Sequence, residues 1–371
     1  MRIVAMSGVA SCALIAASPL LAAEPGAPAA EGERIYQSVC ATCHGNDGRG
    51  EPGRRLFSID MPDFTECSFA TREPDADFFA VAQEGGPVRA FSPIMQGHGA
   101  TLGEQGIRAA LAYIRGFCTD PRWPRGELNL PRPLYTEKAY PEDEAVATVD
   151  ANVNRGTDVR IELLYEKRVG PKSQFELTLP FRAREQPSGG DTHGGIGDVA
   201  LGAKHVLFHS LEWGQIASLG TEVSFPSGDR KDGLGRGTTV FEPYLAAAQI
   251  IAEDGFLQAQ VLGEIPVDRD RADNEVQGRL AIGWSLAQDR GFGRVWTPML
   301  EFIGTEVLPK MGPDVFEADL VPQLQVTLSR RQHVMLNAGV RIPLNHTQTR
   351  PTRVAVYLLW DWFDGGLLEG W

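Results

Sequence analysis

The sequence predicts two unlike units in one chain: a small all-α domain, then an antiparallel transmembrane β-barrel of about 12 strands. Three observations carry this. Cys40, Cys43, Cys67 and Cys118 all lie in residues 24–120, a stretch patterned as short helices and loops. Thr119 to Ala145 then holds Pro121, Pro124, Pro131, Pro133 and Pro141, a density that sustains neither helix nor central strand and reads as an extended linker. From about Val146 onward the pattern is almost purely period two. The resulting divisions are 1–23, 24–120, 121–145 and 146–371.

The chain has 371 residues, 22% charged and 43% hydrophobic, which fits neither disorder nor a polytopic helical membrane protein. Its formal net charge is −13, and no basic face is offered to phosphates, so nucleic acid is excluded as a partner. Residues 1–23 read as an export signal. Arg2 is a thin charged start, Ile3 to Leu21 is apolar and small-residue-rich, and Ala22-Ala23 before Glu24 is a cleavage point. A rival reading takes Val9-Ala10-Ser11-Cys12 as a lipoprotein box, but the apolar stretch runs on well past Cys12. Export places the four remaining cysteines in an oxidising compartment.

In the C-terminal half the alternation can be read residue by residue. Phe175, Leu177, Leu179 and Phe181 oppose Gln174, Glu176, Thr178 and Arg182. Val159, Ile161, Leu163 and Tyr165 oppose Arg160, Glu162 and Glu166; Val276, Leu280, Ile282 and Trp284 oppose Gln277, Arg279 and Ser285. Phe316, Ala318, Leu320, Leu324, Val326 and Leu328 oppose Glu317, Asp319, Gln323, Gln325 and Thr327. Strands of about 10–14 residues exceed those of soluble sheets. A soluble barrel would have to bury Glu162, Glu176, Glu222, Glu264, Arg279, Glu301 and Glu317, whereas a membrane barrel turns them to a wet lumen and its apolar face to lipid. Short turns (Gly170-Pro171-Lys172, Glu253-Asp254-Gly255, Asp289-Arg290-Gly291) alternate with longer polar links (Gln186–Gly195, Asp229–Thr239). Six of the seven tryptophans lie in this half near strand ends or the terminus, as an interfacial girdle requires.

The chemistry sits in Cys40-Ala41-Thr42-Cys43-His44. Two thiols at this spacing followed by His form a c-type haem attachment site, with Cys40 and Cys43 bonded to the porphyrin vinyl groups and His44 on the iron. A redox CxxC would want a surrounding βαβ pattern, and a zinc site a second ligand pair. Neither is present. Cys67 and Cys118 remain, and a disulfide between them would staple the distal loop to the last helix. Gly233-Leu234-Gly235-Arg236-Gly237 lies between β patterns with no helix behind it, which argues against a phosphate cradle. His193, His205, His209, His333 and His346 are scattered and read as loop or lumen residues.

The flanks of the motif, Gly32–Val39 before it and Gly45–Gly50 after it, resemble those of a small class I-like monohaem cytochrome c. The resemblance implies a first helix running into the motif, a second at Asp77–Gln83 and a third at Leu102–Phe117, with Ile107, Leu111, Ile114 and Phe117 on one face. First and last helices would cross above one covalently bound haem c. Met95, in Ser92-Pro93-Ile94-Met95-Gln96-Gly97, stands where the family's axial Met stands, with His98 and Met61 as rivals. The C-terminal half resembles the outer-membrane barrel family of phenol-degradation pathways, most clearly at Gly194–Lys204. Trp371 resembles the terminal aromatic signal of such barrels, but the glycine-rich tail Asp364–Gly370 separates it from the last strand. The combination is similar to fused cytochrome–porins.

These resemblances imply an electron-transfer protein of the cell outer membrane, not an enzyme, with its haem domain facing the periplasm and periplasmic redox proteins and outer-membrane lipid as partners. One haem does not bridge an apolar band about 25 Å tall, so a donor or shuttle would enter the lumen or the haem domain would plug it. The Glu-lined lumen would favour cations, a metal-ion donor among them. The alternative is a porin whose haem domain docks or gates. A haem peroxidase needs an open iron site, which Met95 ligation opposes.

Overall fold

The computed structural model describes residues 27–185, 190–286 and 295–371. The export signal, Cys12, the turn at Asp289-Arg290-Gly291 and the start of the Gln186–Gly195 link lie outside the described residues. The helical unit contains α1 (Ala27–Ile35), α2 (Ala41–His44), α3 (Glu51–Phe57), α4 (Cys67–Ala70), α5 (Asp75–Glu84) and α6 (Gly99–Arg115), with a π-helical turn over Tyr36–Cys40 joining α1 to α2. The second and third helices expected from the sequence are α5 and α6. The third starts three residues early and is broken at Gly103, where φ is 63°. α1 crosses α6 at Gly32, where a Cβ would stand 2.2 Å from the Ala109 carbonyl oxygen, so only glycine permits this approach. Tyr36, Ala41, Phe64, Ile107, Leu111 and Ile114 form the core beneath the crossing.

The second unit is a single sheet of β1 (Glu144–Asn152), β2 (Asp158–Val169), β3 (Ser173–Glu185), β4 (Thr192–Ile196), β5 (Ala200–Ser210), β6 (Gln215–Ser224), β7 (Val240–Ile250), β8 (Gly255–Pro266), β9 (Asn274–Trp284), β10 (Trp296–Leu308), β11 (Val315–Thr327), β12 (Val334–Pro343) and β13 (Arg353–Asp361). Every neighbouring pair is antiparallel, and β1 pairs with both β2 and β13, which closes the ring. β4 prolongs the line of β5 along β3 beyond a break at Gly197–Val199, so the ring itself has 12 strands. Asp198 in that break accepts the backbone N–H groups of Gly228 (3.0 Å) and Arg236 (2.6 Å), anchoring the long 225–239 link over the barrel end. Part of the link expected at Gln186–Gly195 is therefore strand.

The alternation in the sequence becomes an apolar exterior. Phe175, Leu201, Leu245, Val261, Phe302 and Phe316 are exposed on the outside, while Gln174, Glu176, Lys204, Gln260, Glu301 and Gln323 are buried inside. A closed ring has no free edge, so its strands pair on both sides, as a membrane demands. The links at 170–172, 211–214, 251–254 and 328–333 lie at one end; those at 225–239, 267–273 and 344–352 lie at the other. Trp284, Trp296, Trp360 and the turn residue Trp213 cluster at the first end.

The proline-rich linker is not a spacer. It enters the barrel, runs up to Tyr135 and returns to start β1, so residues 128–143 occupy the lumen at that end, while Arg160 and Glu162 toward the other end face inward and stay exposed. Thr136, Lys138, Ala139 and Tyr140 are buried. The segment has no partner strand, so side chains from the wall serve its backbone. Gln323 Oε1 accepts from Leu134 N (2.9 Å), Gln260 Oε1 from Glu137 N (3.1 Å), and Gln258 donates to the Pro131 carbonyl (2.7 Å). Glu301 takes the N–H groups of both Tyr135 and Thr136. Pro131, Pro133 and Pro141 carry no N–H, which lowers the number of donors a buried coil must satisfy. Charges are matched as well. Arg132 pairs with Glu166 (2.9 Å) and Glu137 (3.1 Å), Lys204 with Glu137 (2.7 Å), and Lys138 with Glu144 (2.9 Å) and Glu142.

Removing one partner from such a buried set leaves an uncompensated charge, at a cost of about 3–5 kcal/mol. Arg132→Ala is therefore expected to lower the temperature at which the barrel unfolds in detergent. Unchanged heat-dependent gel mobility of the folded barrel would contradict the plug's contribution.

Candidate haem-attachment site

Cys40 ends the π-helical turn and Cys43 and His44 end α2, so the three side chains leave one short helical stretch. Gly45, Gly48 and Gly50 then take positive φ and bend the chain back around the motif. Gly50 N donates to the His44 carbonyl (2.7 Å), Phe64 N to that of Gly48 (2.9 Å), and Tyr36 Oη to that of Gly45 (2.8 Å). The His44 ring lies against Phe64, with centroids 5.1 Å apart.

Two observations bear on whether these residues fit a haem. His44 Nδ1 is buried without a hydrogen-bond partner. Burial, with His98 nearby, pulls the His44 pKa down to about 4, so the imidazole is neutral at physiological pH, as an iron ligand must be. Cys40 and Cys43 are free thiols, and burial together with Cys43 pushes the Cys40 thiol up to about 11. Cys67 and Cys118 are instead joined in a disulfide with Cα atoms 5.1 Å apart, tying α4 to the end of α6. The donor set fits a covalently held haem with one histidine ligand.

Met95 lies in a strap closed on itself. Its carbonyl accepts Gly86 N (2.9 Å), its N–H reaches the Ser92 carbonyl (3.2 Å), and Gly85 bridges Gln96. His98 begins α6, its backbone N held by the Ala82 carbonyl (2.8 Å). Met61 packs on the opposite side of the motif, where a Cβ on Gly53 would touch both its Sδ (2.9 Å) and the Cys43 carbonyl oxygen (2.8 Å).

The helical unit sits on the tryptophan-bearing barrel mouth. Arg72 is buried there, paired with Asp143 at 2.7 Å and laid over the Phe363 ring at 3.6 Å. Gly126 N donates to the Thr71 carbonyl (2.7 Å), and Arg168 lies over Trp123 (4.8 Å) and Tyr140 (5.1 Å). At the neighbouring β11–β12 turn Arg331 donates to the Ala90 carbonyl (3.1 Å). Sequence reasoning missed these contacts and the plug. The signal was the linker's own Leu128, Leu130, Leu134, Tyr135 and Tyr140, too apolar for a solvated spacer.

Of the charges expected to line a wet lumen, Glu162 faces inward and is exposed, while several others meet the chain itself. Glu301 and Arg279 bind the plug backbone, Glu264 pairs with Arg236, and Glu317 with Arg350 (3.0 Å). The acidic groups Glu137/Glu166/Glu176 and Glu142/Glu144/Asp361 are interleaved with Arg132, Lys204 and Lys138. Of the scattered histidines, His205 faces outward beside Ser173 (2.9 Å), His193 on β4 pairs with Asp232 of the 225–239 link (2.8 Å), and His333 is buried in the β11–β12 turn.

Residues 27–114 match the family model described as cytochrome c oxidase, cbb3-type, subunit III. No curated protein matches the chain. Among solved structures, an outer membrane channel from Pseudomonas putida F1 is similar at 12% identity, covering 62% of this chain and 99% of that one with a TM-score of 0.46. The NanC porin is similar at 6% identity (58% and 97% covered, TM-score 0.40), and the KdgM porin at 11% (58% and 98% covered, TM-score 0.38).

By the chain-entropy estimate, a crosslink enclosing a 51-residue separation stabilises by about 4 kcal/mol. Replacing Cys67 and Cys118 together by serine is expected to lower the guanidinium midpoint of the helical unit by a corresponding amount, followed by far-ultraviolet circular dichroism. An unshifted midpoint would show that the bridge contributes nothing.

Proposed function

We propose that this chain, a cytochrome c domain joined to a 12-stranded outer-membrane-type β-barrel, is a one-electron carrier held at the periplasmic face of the outer membrane. Cys40 and Cys43 hold one haem c, and His44 and Met95 are its axial ligands. The haem supplies a reversible one-electron couple when bound. The protein supplies a neutral His44 and, in Met95, a thioether that would hold the sixth position, a ligand pair suited to electron transfer rather than to oxygen or peroxide chemistry. Soluble periplasmic redox proteins are its partners.

One observation carries the reading of the barrel: the lumen holds residues 128–143, hydrogen-bonded to its wall. This supports a membrane anchor over an open channel, and the haem domain stands at the mouth rather than inside. The three shortest links, 170–172, 211–214 and 251–254, lie on the side of the haem domain, and in outer-membrane barrels short turns mark the periplasmic side. Electrons are then exchanged on that side alone, with no metal-ion donor entering through the barrel.

Two measurements test the proposal. The protein matured in a haem-attaching host should show a reduced c-type spectrum that Cys40→Ala/Cys43→Ala loses while the barrel still folds in detergent. In planar bilayers the intact chain should be closed, and deletion of residues 128–140 should open a steady conductance. A wild-type protein that conducts ions freely would instead favour the porin reading.

A further inference from the structure

The glycine-rich tail that separates β13 from Trp371 has no role in the reading so far. In the structure it wraps one side chain of the β11–β12 turn. Arg331 N donates to the Gly370 carbonyl (3.1 Å), and Arg331 Nη1 donates to the Asp364 carbonyl (3.0 Å) and lies 3.5 Å from Glu369 Oε2. Gly365 and Gly370 make this possible, because a Cβ would stand 2.4 Å from Arg331 Nη1 at the first and 2.7 Å from Arg331 Cβ at the second. Both have positive φ, which a side chain would also strain. The turn itself is fixed by Ser329 Oγ, which accepts from His333 N and Val334 N (both 3.2 Å). The barrel thus aims a guanidinium out of its mouth.

Its target is the strap of the haem domain. Arg331 Nη2 donates to the Ala90 carbonyl, and the guanidinium lies over the Phe91 ring at 4.8 Å. Ala90 ends the 3-10 turn Gly86–Arg89 with φ at 55°, an unfavourable conformation for a residue with a side chain. Directly after this kink, Phe91 N returns to the Gly86 carbonyl (2.9 Å), and Gly86 N in turn holds the Met95 carbonyl. The residue just before the kink is fixed within the haem domain, where Arg89 pairs with Asp77 (2.7 Å).

We propose that Arg331 is a positioning residue for the Met95 strap, so that a turn of the barrel governs how firmly the sixth haem ligand is held. The inference rests on Met95 being that ligand. A cation over an aromatic ring and a charge-assisted hydrogen bond both act at one kink, and losing them frees the strap to swing away from the iron. The barrel is then a working part of the haem site, not only its tether.

The test uses the full-length haem-loaded protein in detergent. It reads two things: the near-infrared Met-to-ferric-iron charge-transfer band, and the affinity of the ferric haem for added imidazole, which competes for the sixth position. Arg331→Ala is expected to keep the band but bind imidazole roughly tenfold more tightly. Arg331→Lys should fall between it and wild type. Phe91→Leu, which leaves the barrel untouched, should shift affinity in the same direction and serves if Arg331→Ala fails to assemble. Met95→Ala should lose the band and bind imidazole most tightly. Wild-type imidazole affinity in both Arg331→Ala and Phe91→Leu, with the band lost in Met95→Ala, would overturn the positioning role alone. A band that survives Met95→Ala would overturn the ligand assignment beneath it.

Discussion

The structure depends on one constraint: a closed sheet with an apolar outside has a polar inside that must find partners. Gln174, Gln258, Gln260, Gln323, Glu166 and Glu301 are all buried on inward-facing positions. In a wide barrel, water would satisfy them. Here the chain supplies a segment with a complementary set of carbonyls, N–H groups and charges. Because that segment enters and leaves by one mouth, its two ends fix where the helical unit stands.

Electrostatics follows from that placement. The plug's Arg132 and Lys138 are too buried to persist alone, and they do so by meeting carboxylates from the wall and from the plug's own return arm. Buried ion sets of this kind contribute little net stability but penalise any arrangement that separates them. They therefore act as a register lock, holding one threading of the linker. Arg72 extends the lock into the helical unit, since its partner Asp143 immediately precedes β1.

For function, the arrangement separates two tasks that a haem-bearing porin would combine. The barrel holds the plug segment at the mouth where the helical unit stands, and the cytochrome c domain lies outside the ring. The Arg331 contact joins the two units at the strap that carries Met95, close to Arg72, because Arg72 lies over Phe363 and Arg331 holds the carbonyl of the next residue, Asp364. Contacts at both Ala90 and Arg72 restrain the domain on that side of the mouth.

Much of this was legible beforehand for a physical reason. Strand parity is local, so Phe175, Leu177 and Leu179 against Gln174, Glu176 and Thr178 declare inside and outside without any knowledge of neighbours. The haem motif is equally local, with Cys40, Cys43 and His44 within one helical turn and a half. The break at Gly197–Val199 was not legible, because Asp198 earns its place only through Gly228 and Arg236 from a distant loop. The plug was legible only in part: the linker's Leu128, Leu130, Leu134, Tyr135 and Tyr140 signal burial, but not that the barrel lumen is what buries them. The chain by itself determined which residues turn outward and where the haem-attachment motif lies, because those depend on spacing along the backbone. Tertiary structure alone decided what fills the barrel and what Arg331 grips, because those contacts join residues hundreds of positions or a whole domain apart, brought together only once the ring has closed.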